Sequence, residues 1–220
     1  VHFQDDQCYQ DGAGPELTAK DVKYTFELLC TKSEFNYQYE TILKDRVVGA
    51  NDFFEKRSKS LAGFVIIDNY TFNIQLAHPS LSFMKLLANP AASILNETAY
   101  KAYGKNLKHG LGPFQYSQTS TADKIVLVKN PTYYGTDSLG QALPYLDTVV
   151  VQFLPSIEDG LTLFENGNLD LINTIPSLRV KDVVEKNIKE FMAHPPKAML
   201  QREPEMISQF YLFNTKQVPY

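Results

Sequence analysis

The sequence has no tryptophan, only 2 cysteines and 4 histidines among 220 residues, and no run approaching the ~20 apolar residues that a membrane-spanning helix needs. Cys8 and Cys30 are too few for a disulfide framework. No histidine lies near either of them in sequence, so the spacing suggests neither a metal site nor a nucleophile there. A basic excess is also missing: Lys and Arg number 21 against 25 Asp and Glu, for a net charge of -4 and a pI near 5.6. With nothing to grip a phosphate backbone, nucleic acid is not an expected partner. No signal peptide is visible, and the chain opens Val1-His2-Phe3-Gln4 without an initiator Met, as the inside of a longer protein would.

The motifs of catalysis are missing as well. His2, His78, His109 and His194 are scattered and form no H-x-x-x-H pattern. His78 and His194 each precede a proline and read as loop residues, which leaves His109, beside Gly110, as the one histidine a hydrolase could use. There is no G-x-S-x-G, and neither cysteine sits in a catalytic context. Gly110-Leu111-Gly112 lacks the lysine, the Ser/Thr and the following helix of a phosphate loop, so its glycines are expected to permit a tight turn. Asp5, Asp6 and Asp11 do not follow the alternating pattern of a calcium loop and read as solvated loop acids.

What is present is an ordinary globular composition, 44% hydrophobic and 21% charged, long enough for one large domain or two small ones. The 13 Tyr and 14 Phe suit apolar cores and ligand-stacking clefts alike, with the core the commoner use. The first strong element is a helix from about Thr18 to Cys30. Thr18 stands at the cap, Asp21 where a capping-box acid would reach back, and Val22, Phe26 and Leu29 on one face. Residues 31–62 are polar and irregular, with a short helix expected over Asn51–Lys59. Phe64–Ile67 and Thr71–Leu76 flank Asp68-Asn69 as a hairpin. Short helices are expected from Ser80 or Ser82 through Leu87 and over Thr98–Tyr103.

After Gly104 the texture changes. Gly110–Phe114 is a turn feeding a strand, which Ile125–Val128 should join as a hairpin. Tyr145–Leu154 reads as a strand, Ile157–Phe164 as a helix and Leu169–Ile172 as a strand, together a compact β-α-β unit with a right-handed crossover if parallel. A helix over Val180–Phe191 and strands near Met199 and Phe210 complete the reading. No internal repeat or low-complexity tract is visible. The residues alone thus lead to an α+β protein without a catalytic signature.

Several segments, read in order, resemble the extracellular solute-binding family 5, which serves peptide, nickel and some sugar ABC importers. Phe3-Gln4-Asp5-Asp6, followed by Glu16-Leu17-Thr18-Ala19-Lys20-Asp21-Val22-Lys23-Tyr24-Thr25-Phe26, resembles its "F-x-D-G … L-T-A-x-D-V-x-Y-S-F" segment. Asp68-Asn69-Tyr70-Thr71-Phe72 resembles "D-D-Y-T-v", and Gly110-Leu111-Gly112-Pro113-Phe114 resembles "G-T-G-P-Y/F". Asn130-Pro131-Thr132-Tyr133-Tyr134-Gly135 resembles "N-P-x-Y-W-G", and Phe164–Asp170 resembles "l-x-x-G-e-v-D". Phe213-Asn214-Thr215-Lys216 with Pro219 resembles the "f-N-x-x-x-P-F" junction. Leu111 stands where the family usually has Thr, and Tyr134 where it has Trp.

The resemblance implies a fold and a job. The fold would be a two-subdomain fragment of a periplasmic-binding-protein, class II-like fold, α+β, with mixed β-sheets and flanking helices. Residues 1–108 would be the small second domain and 109–220 the central part of the first, with the signal, first strand and third domain lying outside the chain. The protein would be a monomeric, non-enzymatic, substrate-binding component of an ABC importer, without metal or other cofactor, either periplasmic or lipid-anchored at the outer face of the cytoplasmic membrane. It would capture a peptide or similar small solute between two lobes and hand it to a membrane permease. A secreted hydrolase or a non-transport interaction module on the same fold is the alternative. Asn214, where the family chain leaves the first domain near the cleft, is the expected ligand contact, with Phe213 as a weaker companion. Because an exported chain meets oxidising conditions, a Cys8–Cys30 disulfide is one reading; free thiols are the favoured one.

Overall fold

The computed structural model describes residues 1–33, 36–202, 208 and 210–213. They fall into two compact units, residues 1–153 and 154–220.

In the first unit, helix α1 runs Ala19–Leu29. Asp21 reaches back as the sequence predicts: its carboxylate accepts hydrogen bonds from the Thr18 backbone N–H and from the Thr18 hydroxyl, both at 2.9 Å. The predicted face is the buried one. Phe26 is buried, and Val22 and Leu29 pack against the main core beside it. Helices α2 (Gln38–Ile42) and α3 (Ala50–Phe54) follow. The first lies inside the stretch expected to be irregular. Its Tyr39 and Ile42, with Leu43 just beyond, are fully buried at helical spacing, a signal too short to stand out from polar neighbours.

Strands β1 (Phe64–Ile66) and β2 (Phe72–Ile74) form the expected antiparallel hairpin. Its turn is set by Asp68, whose carboxylate accepts from the Tyr70 N–H at 2.8 Å. One core unites these elements: Phe26, Ile42, Leu43, Val47, Leu61 and Phe64 are buried in it, with Phe64 stacked on Phe72 at 4.9 Å. Gly63 closes the hairpin against the preceding loop. A Cβ there would lie 2.6 Å from the Val48 carbonyl oxygen.

Helices α4 (Phe83–Leu86) and α5 (Glu97–Tyr103) match the expected short helices. Asn96 caps α5 by accepting from the N–H groups of Thr98 and Ala99. Its amide also donates to Asp21 at 2.9 Å, so one buried pair joins the starts of α1 and α5.

Strands β3 (Phe114–Tyr116), β4 (Lys124–Lys129) and β5 (Thr148–Gln152) form an antiparallel sheet in that order. The last strand is shorter than the predicted Tyr145–Leu154. It stays extended where β4 supplies partners, from Lys124↔Gln152 to Val128↔Thr148, and Tyr145 and Leu146 beyond that register are exposed.

In the second unit, α6 (Ile157–Glu165) is capped by Ser156, and α7 (Val180–Phe191) has the predicted bounds. Leu161 and Val183 are buried, and Lys186 and Arg179 reach Glu165 across at 3.4 and 3.9 Å. These pairs are exposed enough to be worth little each. The expected β-α-β unit does not form. Leu169–Ile172 joins no ladder among the described residues, and Leu171 is 72% exposed. Four residues without a paired neighbour cannot satisfy an extended backbone. The described residues near Met199 and Phe210 are likewise not in strands.

Candidate functional site

The first 17 residues lie across the start of the 110–114 loop. The Leu17 N–H donates to the Val1 carbonyl at 2.8 Å and the Phe3 N–H to the Pro15 carbonyl at 3.0 Å, closing residues 1–17 into a loop. Gly14 is required at its neck: a Cβ there would fall 1.8 Å from the Phe3 oxygen. Phe3, Tyr9 and Ala99 form a second small core, against which Leu111 packs. The Thr-to-Leu departure at 111 is thus an apolar contact in place of a hydroxyl.

Gln4, only 2% exposed, donates from its side chain to the carbonyls of Gly112 at 3.2 Å and Phe114 at 2.8 Å. Asn130, also buried, donates to the Gly112 carbonyl at 3.0 Å. Its Oδ1 accepts from the N–H and hydroxyl of Thr132. The segments around Gln4, Gly112 and Asn130 therefore meet at one loop and define its shape. Likewise Tyr70 donates to Glu16 at 2.8 Å, and the Ala19 N–H to the Asn69 carbonyl at 2.7 Å, tying the hairpin turn to the start of α1.

Beside this loop lies an open cavity of about 710 Å³, walled by Tyr100, Lys105, Lys108, His109, Tyr133 and Tyr134 among others. Its size is that of small-solute sites. The Lys108 ammonium sits 4.2 Å from the centre of the Tyr116 ring. The tyrosines offer faces for stacking and hydroxyls for hydrogen bonds.

His109 is where sequence spacing misleads. The sequence places no histidine near a cysteine, yet folding brings His109 Nε2 to 3.9 Å from Cys8 Sγ and His109 Nδ1 to 3.6 Å from Asp6 Oδ2. The partners are 101 positions apart, so no local pattern announces them. Asp6 is fixed through its other oxygen, which accepts from the Tyr103 hydroxyl at 2.6 Å and the Cys8 N–H at 2.9 Å. The Tyr9 and Tyr103 rings pack edge-on to the imidazole.

Burial, and then the neighbouring Asp6 carboxylate, push the Cys8 thiol up to about 11. Burial works against Asp6 as well, but the Tyr103 hydroxyl and the bonds from Cys8 outweigh it and hold the carboxyl below its usual value. A thiol kept protonated is no nucleophile, so the trio does not favour the hydrolase alternative. Both cysteines are free, with Cys30 fully buried in the main core. The Tyr9 hydroxyl is buried without a hydrogen-bond partner among the described residues.

Of the residues expected to touch ligand, Asn214 lies outside the described residues, and Phe213 is 69% exposed.

Over residues 1–220 the sequence matches the bacterial extracellular solute-binding proteins, family 5 Middle. The chain belongs to that family. Among family relatives, it is 20% identical to the periplasmic oligopeptide-binding protein OppA of Escherichia coli, over all of this chain and 39% of that protein. It is 28% identical to the dipeptide-binding protein of Lactococcus lactis, over 71% of this chain and 29% of that one. The chain thus spans well under half the length of these relatives. In three dimensions it resembles the periplasmic binding protein DppA of Helicobacter pylori, solved with the peptide STSA, at a TM-score of 0.64 and 24% identity. That likeness covers 84% of this chain and 35% of the other, and shows an α+β fragment of the periplasmic-binding-protein fold.

Proposed function

We propose that this chain is part of the substrate-binding component of an ABC importer, capturing a peptide or similar small solute and presenting it to a membrane permease. The observation that carries this reading is the family match across the whole chain. The relatives are binding proteins by name, for oligopeptides and dipeptides, which favours binding over turnover. The protein acts as a monomer, in the periplasm or anchored by lipid at the outer face of the cytoplasmic membrane. Residues 1–108 form the second domain and 109–220 the central part of the first.

Native mass spectrometry of the full-length protein, followed by calorimetry with di- to pentapeptides, tests the reading. A co-purified peptide, or saturable binding to at least one peptide class, supports it. Hydrolysis of the panel, or no retained solute of any kind, overturns it.

Asn214 is the proposed ligand contact, with Phe213 as its companion. The Asn amide both donates and accepts, so it can pair with either side of a peptide unit. In the full-length protein Asn214→Ala should weaken binding by roughly 0.5–1.5 kcal/mol with the melting temperature nearly unchanged. Unchanged affinity with a lowered melting temperature would make Asn214 structural.

A further inference from the structure

We propose that Asp6, Cys8 and His109 form a binding site for one divalent transition-metal ion of the zinc type. Taking one ligand atom from each residue, the three donors lie within 4.8 Å of one another. A tetrahedral ion with bonds of about 2.0–2.3 Å holds its ligand atoms roughly 3.3–3.8 Å apart. The Asp6–His109 separation of 3.6 Å is to Nδ1 and the Cys8–His109 separation of 3.9 Å is to Nε2, so with one imidazole nitrogen the three donors are held only within 4.8 Å, wider than that spacing. Binding therefore requires the Asp6 and Cys8 side chains to draw in toward one imidazole nitrogen.

The donor set chooses the ion class. One sulfur, one imidazole nitrogen and one carboxylate oxygen suit zinc or cobalt(II), and suit magnesium or calcium badly. The surroundings are those of a held ligand. Asp6 Oδ1 is pinned by the Tyr103 hydroxyl and the Cys8 N–H, which leaves Oδ2 turned to the imidazole. The imidazole is steadied by the rings of Tyr9 and Tyr103.

Two further observations point to a ligand. His109 lines the cavity, which gives an ion a route to the imidazole. The Tyr9 hydroxyl is buried without a partner among the described residues, and its ring packs edge-on to His109. On binding, the Cys8 S–H bond breaks, its proton goes to solvent, and the thiolate bonds the metal without any change of oxidation state. The ion would join the loop at residues 6–8 to position 109. The proposal stands independently of which solute the protein carries.

The test is titration of the full-length reduced protein with Co²⁺. One equivalent should bring up a thiolate-to-cobalt charge-transfer band in the near ultraviolet, and Zn²⁺ should erase it. Cys8→Ser should abolish the band and His109→Ala should weaken metal binding at least tenfold, while His78→Ala, at an exposed loop position, leaves both intact. Should Cys8→Ser fail to fold, X-ray absorption on the zinc-loaded wild type decides: one sulfur with nitrogen and oxygen neighbours supports the site, and a shell without sulfur overturns it. No band at stoichiometric Co²⁺, or a band that survives in folded Cys8→Ser, also overturns it.

Discussion

Gln4 and Gly110 are joined twice: the Gln4 N–H donates to the Gly110 carbonyl at 2.9 Å, and the Gly110 N–H donates to Gln4 Oε1 at 3.3 Å. With the bonds to Gly112 and Phe114, one buried side chain supports the whole turn. Gln4→Ala removes the side-chain partner of the Phe114 carbonyl and of the Gly110 N–H, while the Gly112 carbonyl keeps Asn130, and it should cost about 1–3 kcal/mol. Urea unfolding measures it, with faster hydrogen exchange expected at Gly110. A loss below about 0.5 kcal/mol would mean that water replaces the side chain freely.

Asp21 serves two helices, closing the capping box of α1 and accepting from Asn96 at the start of α5. Asp21→Ala removes both roles and strands the buried Asn96 amide. A destabilisation of roughly 2–4 kcal/mol is expected by thermal or urea denaturation. Asp21→Asn, which keeps an acceptor, should lose less; equal losses would show that shape does not matter there.

Both thiols should alkylate under denaturing conditions without reductant, since both cysteines are free. In the native state, with a chelator present, Cys8 should react well before Cys30, because Cys30 is 0% exposed. Intact-mass analysis reads the order. An unlabelled denatured chain would reveal a disulfide.

Asp137 holds the loop ahead of β5. Its carboxylate accepts from the Tyr145 hydroxyl and from the N–H groups of Gln141 and Leu139. These bonds, that from Tyr145 foremost, hold its carboxyl below the usual range. A depressed carboxyl contributes order above its unfolded value and loses that contribution as pH falls through the folded one. The protection of the Leu139 and Gln141 amides, measured relative to the intrinsic exchange rate at each pH, should therefore fall in acid. Asp137→Asn should flatten the dependence, and an unchanged profile in that variant would assign it to another group.

Where structure is decided within one turn of chain, the residues already declare it. Thr18 and Asp21 announce the start of α1, and the apolar spacing of Val180–Phe191 gives α7 its bounds. Tyr145–Leu154 is rich in strand formers, yet its extended length is set by how far β4 reaches. Leu169–Ile172 has the composition of a strand and lacks the partner. The site is harder still. Asp6 and Cys8 look like loop residues and His109 like a solitary histidine until contacts about a hundred positions long bring them together. The motifs that carry the resemblance were legible as strings, but their meeting around Gly112 was not.

The Gln4 side chain also imposes an order in time. Its partners at Gly110, Gly112 and Phe114 leave the ribosome 106 to 110 residues later. At about 5–20 residues per second the opening segment must wait roughly 5–20 s before it can be clasped. During that interval Phe3 and Tyr9 have no finished core to enter, while α1 and the β1–β2 hairpin already possess most of theirs. Residues 3–9 are made well before their partners and settle late, so a newly made protein depends on whatever shields those aromatic side chains in the meantime.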